Sequence, residues 1–285
     1  MVNSQKAFAL LWIFLSITLL LGNRVDAADL DYLQGLNQPD YHRLHANALE
    51  RDFHIYVRVP EQYDQKPDHY PVVYLLDGGQ TFPMLGSFYR YLSFAGDVPD
   101  LIIVGIAYGT DDWKQGNLRS TDFTAKSTER AHYGGAPFFQ QFLAQQLLPF
   151  VEEKYRTDNS RRIIFGQSLG GQFVLYSALT KPDLFWGHIA SNPALHRNLP
   201  FFLEAHHAVA HVGSKVFVSS GSNDDPRFRD PALKWMDHWA SQKDKPWQLA
   251  TMTLEGENHF SAAPTAFRRG LTWLFKDTLA ENSAN

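Results

Sequence analysis

The sequence contains no cysteine among its 285 residues. Disulfide bonds, a thiolate nucleophile and cysteine-based zinc sites are therefore excluded. A strong charge of one sign is also missing, because 26 basic residues stand against 30 acidic ones and the net charge is −4. This balance gives no reason to expect a nucleic acid or an anionic membrane as partner. The sequence shows no internal repeat, low-complexity tract or domain linker, and its length suits one large α/β domain.

A long apolar run lies at the N-terminus, from Ala7 to Leu21, directly after Lys6. The tripeptide Val25-Asp26-Ala27 follows it and has the form of a signal-peptidase site. We therefore predict a cleavable secretory signal over residues 1–27 and a single domain over residues 28–285. An uncleaved membrane anchor is the alternative, but the run is shorter than the ~20 residues that a span needs. An exported chain without disulfides is typical of a bacterial periplasm or cell exterior.

Apolar patterning predicts strands that alternate with helices. Continuous apolar runs at residues 71–76, 101–107 and 163–165 indicate strands buried on both faces. Residues 52–59 alternate apolar with polar side chains, which is typical of a half-buried strand near a sheet edge. Three further strands are predicted at residues 187–191, 215–220 and 247–254, and helices at 137–155, at 228–243 and after Pro264.

This order of elements predicts the α/β class, with helices on both faces of a mostly parallel, twisted sheet. Two stretches are expected to be irregular. Residues 28–50 are interpreted as a lead-in, and residues 108–136 as an extended loop that crosses the top of the sheet.

The stretch Gly166-Gln167-Ser168-Leu169-Gly170 has the form G-x-S-x-G. By itself this pattern also fits an ordinary glycine-rich turn. Here it connects a buried strand to a helical pattern, which is the context of a nucleophile elbow. The serine of an elbow lies on a strained turn, and glycine at both flanks lets strand and helix approach each other. Ser168 is therefore the predicted nucleophile.

Polar residues follow other predicted strands at their carboxyl ends, where ligands bind to open α/β sheets. Asp224 and Asp225 follow one strand and His259 follows the last, so the chain order is Ser, Asp, His, as in an α/β-hydrolase. Neutral imidazole can take the serine proton, and a carboxylate fixes the imidazole tautomer. We predict His259 as the base and Asp224 as the acid. Asp225, or a Ser–His dyad without an acid, remains an alternative.

An oxyanion hole in this fold uses the N–H of the residue after the nucleophile, here Leu169, and an N–H from a loop after an earlier strand. Gly78 and Gly79 follow the strand at residues 71–76 and allow close backbone approach. We favour the Gly79 N–H. An ordinary turn explains this glycine pair equally well on these grounds alone.

Six stretches between residues 50 and 278 together carry a family resemblance. They are Val73-Tyr74-Leu75-Leu76-Asp77-Gly78-Gly79, Arg119-Ser120-Thr121-Asp122-Phe123, Gly134-Gly135-Ala136, Gly166-Gln167-Ser168-Leu169-Gly170-Gly171, Ala190-Ser191-Asn192-Pro193 and Glu257-Asn258-His259. These stretches resemble the esterase family of α/β-hydrolases that includes the enterochelin esterases and the antigen-85 mycolyltransferases. The resemblance implies a Ser–His hydrolase without metal or other cofactor, with an oxyanion hole formed by the N–H groups of Gly79 and Leu169.

Two residues depart from that family's pattern. Gln167 stands where many members have histidine, and Asn192 where many have serine; neither change removes a catalytic group. The nearest likeness is to exported hydrolases related to siderophore-ester cleavage. Arg119 is then a candidate for binding an anionic group of the substrate, and a surface salt bridge is the alternative role.

We therefore predict an exported serine hydrolase that cleaves small-molecule carboxylic esters, siderophore-type esters among them. An acyltransferase is an alternative, because only the acceptor that reaches the acyl-enzyme differs. A catalytically dead binding protein on the same scaffold is another, although the intact serine and histidine argue against it. A peptidase is less favoured. No pattern in the sequence bears on the oligomeric state.

Overall fold

The computed structural model describes residues 39–204 and 213–283, and these residues belong to one compact unit. The predicted signal over residues 1–27 and its cleavage site lie outside the described residues. An eight-stranded sheet runs through the unit. Its strands are β1 (Asp40–Ala46), β2 (Arg51–Arg58), β3 (Tyr70–Leu75), β4 (Ile102–Ala107), β5 (Thr157–Gln167), β6 (Gly187–Ser191), β7 (Lys215–Gly221) and β8 (Gln248–Leu254).

The strands lie in the order β1-β2-β4-β3-β5-β6-β7-β8. The pairs β1–β2 and β2–β4 are antiparallel, and all the other pairs are parallel. The predicted α/β class with a mostly parallel sheet is therefore confirmed. The carboxyl ends of β3, β5, β6, β7 and β8 share one edge of the sheet, where ligands bind in this class.

Helices flank the sheet on both faces. They are α1 (Gly78–Phe94), α2 (Arg119–Asp122), α3 (Ala136–Phe142), α4 (Leu148–Lys154), α5 (Leu169–Thr180), α6 (Leu199–Leu203), α7 (Pro226–Ser241), α8 (Ala262–Leu274) and α9 (Lys276–Ser283), with a π-helical segment, Leu143–Leu147, joining α3 to α4. The predicted helix at residues 137–155 corresponds to α3, this segment and α4. None of the described helices is both long enough and apolar enough to cross a membrane.

Two apolar cores lie on opposite faces of the sheet, and β3 shows why its sequence is apolar at every position. Val72 and Tyr74 point into the core formed with α3, α5 and α7, whereas Val73 and Leu75 point into the core formed with α1 and α8. All six residues of β3 are buried. A strand covered on both faces must be continuously apolar, which is what its sequence predicted.

The prediction that residues 28–50 are irregular is wrong for the part that is described, because β1 pairs with β2 along its whole length. Its sequence, DYHRLHA, is largely polar, and most of its residues are exposed or half-buried. β1 is the edge strand, and charged side chains on an edge discourage pairing with other chains. That polarity is the reason why the strand pattern was not recognised.

The prediction of an extended loop over residues 108–136 is only partly right. The stretch contains a short 3₁₀ helix (Trp113–Gln115) and α2. The buried carboxylate of Asp122 anchors it: Arg51 Nη1 donates to Asp122 at 2.7 Å, and the Tyr108 hydroxyl donates at 3.0 Å. Phe123 packs into the core beside Phe139. The segment is thus a packed part of the domain.

His188 in β6 predicts how stability depends on pH. Its complete burial lowers the pKa of the imidazole to about 3, from 6.5. Below pH 6.5 this histidine binds a proton in the unfolded chain but not in the folded chain. The contribution of His188 to the free energy of unfolding is therefore complete above pH 6.5 and is lost as the pH falls, by about 1.4 kcal/mol per pH unit. We predict that His188→Phe flattens this decline between pH 6.5 and 4.5 in urea denaturation. His69→Phe, at an exposed histidine, should leave the slope unchanged, and an unchanged slope in His188→Phe would contradict the prediction.

Candidate active site

Ser168 lies between β5 and α5 on a strained turn, with φ 58° and ψ −116°. Non-glycine residues rarely adopt such a conformation. The two peptide groups that flank Ser168 are both fixed, because the Ser168 N–H donates to the Ser191 carbonyl and the Ser168 carbonyl accepts from the Ala194 N–H, both at 3.0 Å. The hydroxyl is thereby held at the edge of the sheet, as the elbow motif predicts.

Two glycines make this turn possible. A Cβ atom on Gly166 would lie 2.4 Å from the carbonyl carbon and oxygen of Gly170, and one on Gly171 would lie 2.9 Å from the Ser191 carbonyl oxygen. At Gly170, by contrast, the nearest atom would be 3.4 Å away. The strand and helix thus approach each other where side chains are missing, and the tight positions are 166 and 171 rather than 166 and 170.

His259 follows β8 and precedes α8, and its Nε2 atom lies 2.9 Å from Ser168 Oγ. The side chain is 13% exposed. The Phe228 ring stacks on the imidazole, with centroids 4.3 Å apart and planes inclined by 27°. Gln167 donates from Nε2 to the His259 carbonyl. Backbone and ring are therefore both held next to the serine.

The structure distinguishes the two candidate acids. Asp224 Oδ2 lies 2.9 Å from His259 Nδ1, and the Asp224 side chain is fully buried. Asp225 is exposed and caps α7 instead, with Oδ1 accepting from the Arg227 N–H at 2.8 Å. Ser168, His259 and Asp224 thus form one continuous chain of hydrogen-bonding groups, and Asp225 lies outside it.

Asn192 is a member of the site to which the sequence assigned no role. Its Nδ2 donates to Asp224 Oδ2 at 2.7 Å, and its Oδ1 accepts from the Gly221 N–H at 3.3 Å. The residue has φ 43°, a left-handed conformation that asparagine tolerates better than most residues. In the sequence, the one indication that Asn192 belongs to the site is its position just after a predicted strand. Asparagine before proline is also typical of an ordinary turn, so this indication was weak.

The N–H groups of Gly79 and Leu169 lie in the first turns of α1 and α5. First-turn N–H groups have no partner within their helix, and the helix dipole favours negative charge there. The two helices follow β3 and β5, which are neighbours in the sheet. Gly79 and Ser168 line the same cleft. This arrangement can bind an oxyanion between two helix N-termini.

Arg119 pairs with Asp77, the residue that precedes α1. Its Nε and Nη2 atoms donate to the two carboxylate oxygens at 2.6 and 2.8 Å. Desolvation is the largest single effect and would lower the pKa of Arg119, but the charge and hydrogen bonds of Asp77, together with Tyr108 and Tyr133, outweigh it and raise the pKa. The side chains are 29% and 18% exposed and line the cleft, so this ion pair belongs to the site and not to the open surface. The residue predicted to bind a substrate anion thus has its Nε and Nη2 atoms bound to a protein carboxylate, and a role in substrate binding stays a prediction.

A cleft of about 800 Å³ opens over the serine. Its walls include Tyr56, Met84, Tyr108, Phe228 and Phe260. Such a volume, with aromatic walls and a few convergent polar groups, is typical of a site for a small molecule. Within residues 39–204 and 213–283, no three histidine, aspartate or glutamate side chains are grouped as ligands of a metal ion.

The fold and this arrangement define the class: the protein is an α/β-hydrolase. The model of the family described as "Putative esterase" matches residues 46–279, and the chain therefore belongs to that family. It is a carboxylic ester hydrolase, like its named relatives.

Two relatives match most of the chain. It is 31% identical over 247 residues to the ferri-bacillibactin esterase BesA of Bacillus subtilis, covering 78% of this chain and 84% of that protein. It is 28% identical over 248 residues to the siderophore triacetylfusarinine C esterase of Aspergillus fumigatus, covering 73% and 82% of the two chains. A crystal structure of an IroE-like serine hydrolase from Shewanella oneidensis superposes with a TM-score of 0.75 at 26% identity, covering 84% of this chain and 80% of the other.

The two glycines at the start of α1 provide a matched pair of variants. A Cβ on Gly78 would lie 2.4 Å from Ile106 N, whereas a Cβ on Gly79 would meet nothing nearer than 4.0 Å. Since backbone atoms of β4 cannot easily move aside, we predict that Gly78→Ala lowers the free energy of unfolding by about 1–3 kcal/mol. Gly79→Ala should stay within about 0.5 kcal/mol of the wild type. Urea denaturation measures both, and equal losses would contradict the steric argument.

Proposed function

We propose that the chain hydrolyses its esters through an acyl-enzyme, with Ser168 as nucleophile, His259 as general base and acid, and Asp224 as the orienting carboxylate. The observation that carries the proposal is the chain of contacts from Ser168 Oγ to His259 Nε2 and from His259 Nδ1 to Asp224 Oδ2, each 2.9 Å long. The imidazole removes the serine proton as Oγ attacks the ester carbonyl, and the buried carboxylate stabilises the imidazolium.

The tetrahedral intermediate places a negative charge on the former carbonyl oxygen. We assign its stabilisation to the N–H groups of Gly79 and Leu169, a pair of donors at two neighbouring helix N-termini. The imidazolium then gives its proton to the leaving alcohol, and the ester bond breaks. Water attacks the acyl-enzyme in the second half of the cycle, with the same imidazole as base. Asn192, through its hydrogen bond to Asp224, keeps the acid oriented in both halves.

The substrates that we propose are siderophore-type esters. The support comes from relatives, since two proteins that match 78% and 73% of the chain are named as esterases of ferri-bacillibactin and of triacetylfusarinine C. The cleft of about 800 Å³ is large enough to hold one ester unit of such a molecule next to Ser168.

Loss of the nucleophile tests the mechanism and the substrate class together. We predict that Ser168→Ala lowers kcat for p-nitrophenyl acetate, and for a catecholate siderophore lactone, by several orders of magnitude. Reaction with a fluorophosphonate probe should disappear, because the probe needs the hydroxyl. Ser160→Ala, at the opposite end of β5, is the matched control and should keep both activities. Turnover by folded Ser168→Ala near the wild-type rate would reject Ser168, whereas a wild-type enzyme active only on the simple ester would reject the siderophore substrate.

We also propose export to a bacterial periplasm or to the cell exterior through a cleavable signal over residues 1–27. The support is the apolar run Ala7–Leu21 and the Val25-Asp26-Ala27 site after it. The expected result is an exported protein whose N-terminal sequence begins at Ala28, and a bulky residue in Ala27→Trp should block cleavage at that bond. A full-length chain retained in the membrane fraction would instead favour the uncleaved anchor.

A further inference from the structure

Arg227 lies in the first turn of α7 and lines the cleft on the same side as His259. It is exposed. Within residues 39–204 and 213–283, no carboxylate lies at salt-bridge distance from its guanidinium. This distinguishes Arg227 from Arg119, the other arginine in the cleft wall, whose charge is matched by Asp77.

The position of Arg227 is fixed through a stack of three side chains. The guanidinium carbon lies over the Phe228 ring, 4.4 Å from its centroid. The same ring stacks on the imidazole of His259 at 4.3 Å. A cation held against an aromatic ring is attracted by the ring's quadrupole, which restricts the freedom of the long side chain. The positive charge of Arg227 therefore lies against the same ring that stacks on the imidazole of His259.

A half-buried histidine also packs against the Phe228 ring. His196 packs edge-on against it at 5.0 Å. The pKa of His196 is lowered to about 4, first by burial and then by the positive charges of Arg197, Arg227 and Arg130, with Glu129 acting in the opposite direction. Of these charged groups, Arg227 also lines the cleft, whereas Arg197 pairs with Glu129 at 3.6 Å.

The acidic residues of the cleft wall lie on its other side. Asp77 is neutralised by Arg119. Asp111 is on the segment that follows β4, whereas Arg227 follows β7. Four strand spacings separate these two strands in the sheet. Among the described ion pairs, none joins Asp111 to Arg227.

The chemistry of the histidine decides which part of a substrate reaches Arg227. His259 gives its proton to the leaving alcohol oxygen, so the alcohol part of the ester lies next to the imidazole and the Phe228 ring stacked on it. We propose that Arg227 forms an anion subsite that selects esters whose alcohol part carries a carboxylate or another negative group. This inference rests on the proposed function of Ser168 and His259.

Two esters with the same acetyl group test the subsite. 4-Acetoxybenzoate releases an alcohol that bears a carboxylate, and 4-acetoxybenzamide releases a neutral one of nearly the same shape. The measured quantity is the ratio of their kcat/KM values, in which a general loss of activity cancels. We expect Arg227→Gln to lower this ratio roughly 5- to 30-fold, between the effect of an exposed ion pair and that of a charge-assisted hydrogen bond. Arg227→Lys should retain part of it.

Arg269→Gln is the matched control, because it removes the same charge from an exposed position on α8 outside the cleft wall, and it should leave the ratio unchanged. Raising the salt concentration should lower the ratio in the wild type and not in Arg227→Gln. A ratio that Arg227→Gln leaves unchanged would overturn the proposed subsite. If both kcat/KM values then fell by the same factor, Arg227 would only support the ring stack. Loss of turnover in Ser168→Ala tests the proposed function separately.

Discussion

The close approach of β5 to α5 is the constraint on which the site depends. The carbonyl group of Gly170 occupies the space where residue 166 would otherwise carry a Cβ. This approach goes with the strained backbone of Ser168, which has φ 58° and ψ −116° and holds the hydroxyl at the sheet edge. The segment Ser191–Ala194 is held by the same turn, since it binds the Ser168 peptide group from both sides. Asn192, within that segment, contacts the buried acid.

Much of the fold and part of the site follow from the sequence, because the physical causes are local. The buried strands are continuous apolar runs, and the elbow needs glycines at fixed offsets from Ser168. The proximity of Ser168 and His259 follows from their positions after two predicted strands, because the carboxyl ends of parallel strands lie at the same edge of the sheet. Asp224 and Asp225 could not be separated in this way. Both follow β7, and only the start of α7 directs one into the interior and leaves the other as a helix cap.

The features that were missed depend on partners far away in the sequence. Arg119 meets Asp77 across 42 residues, and Arg51 meets Asp122 across 71. Neither ion pair changes the apolar periodicity of the segments that carry it, so the sequence pattern could not indicate it. Gln167 is a similar case. It departs from the pattern of the resembling family, and the structure shows its amide bound to the carbonyl of His259, 92 residues on. The polar edge strand β1 was missed because its apolar alternation is weak.

The ion pair between Arg119 and Asp77 has an electrostatic consequence for the proposed mechanism. Asp77 directly precedes the two glycines at the start of α1, and its carboxylate also lies beside the first turn of α5, since a Cβ on Gly170 would be 3.4 Å from Asp77 Oδ2. An isolated carboxylate close to these helix N-termini would disfavour a developing oxyanion by Coulomb repulsion. Because both carboxylate oxygens bind Arg119, the pair carries no net charge and this repulsion is reduced. The same pairing neutralises the charge of Arg119, whereas the charge of Arg227, on the histidine side of the cleft, has no carboxylate partner among the described residues.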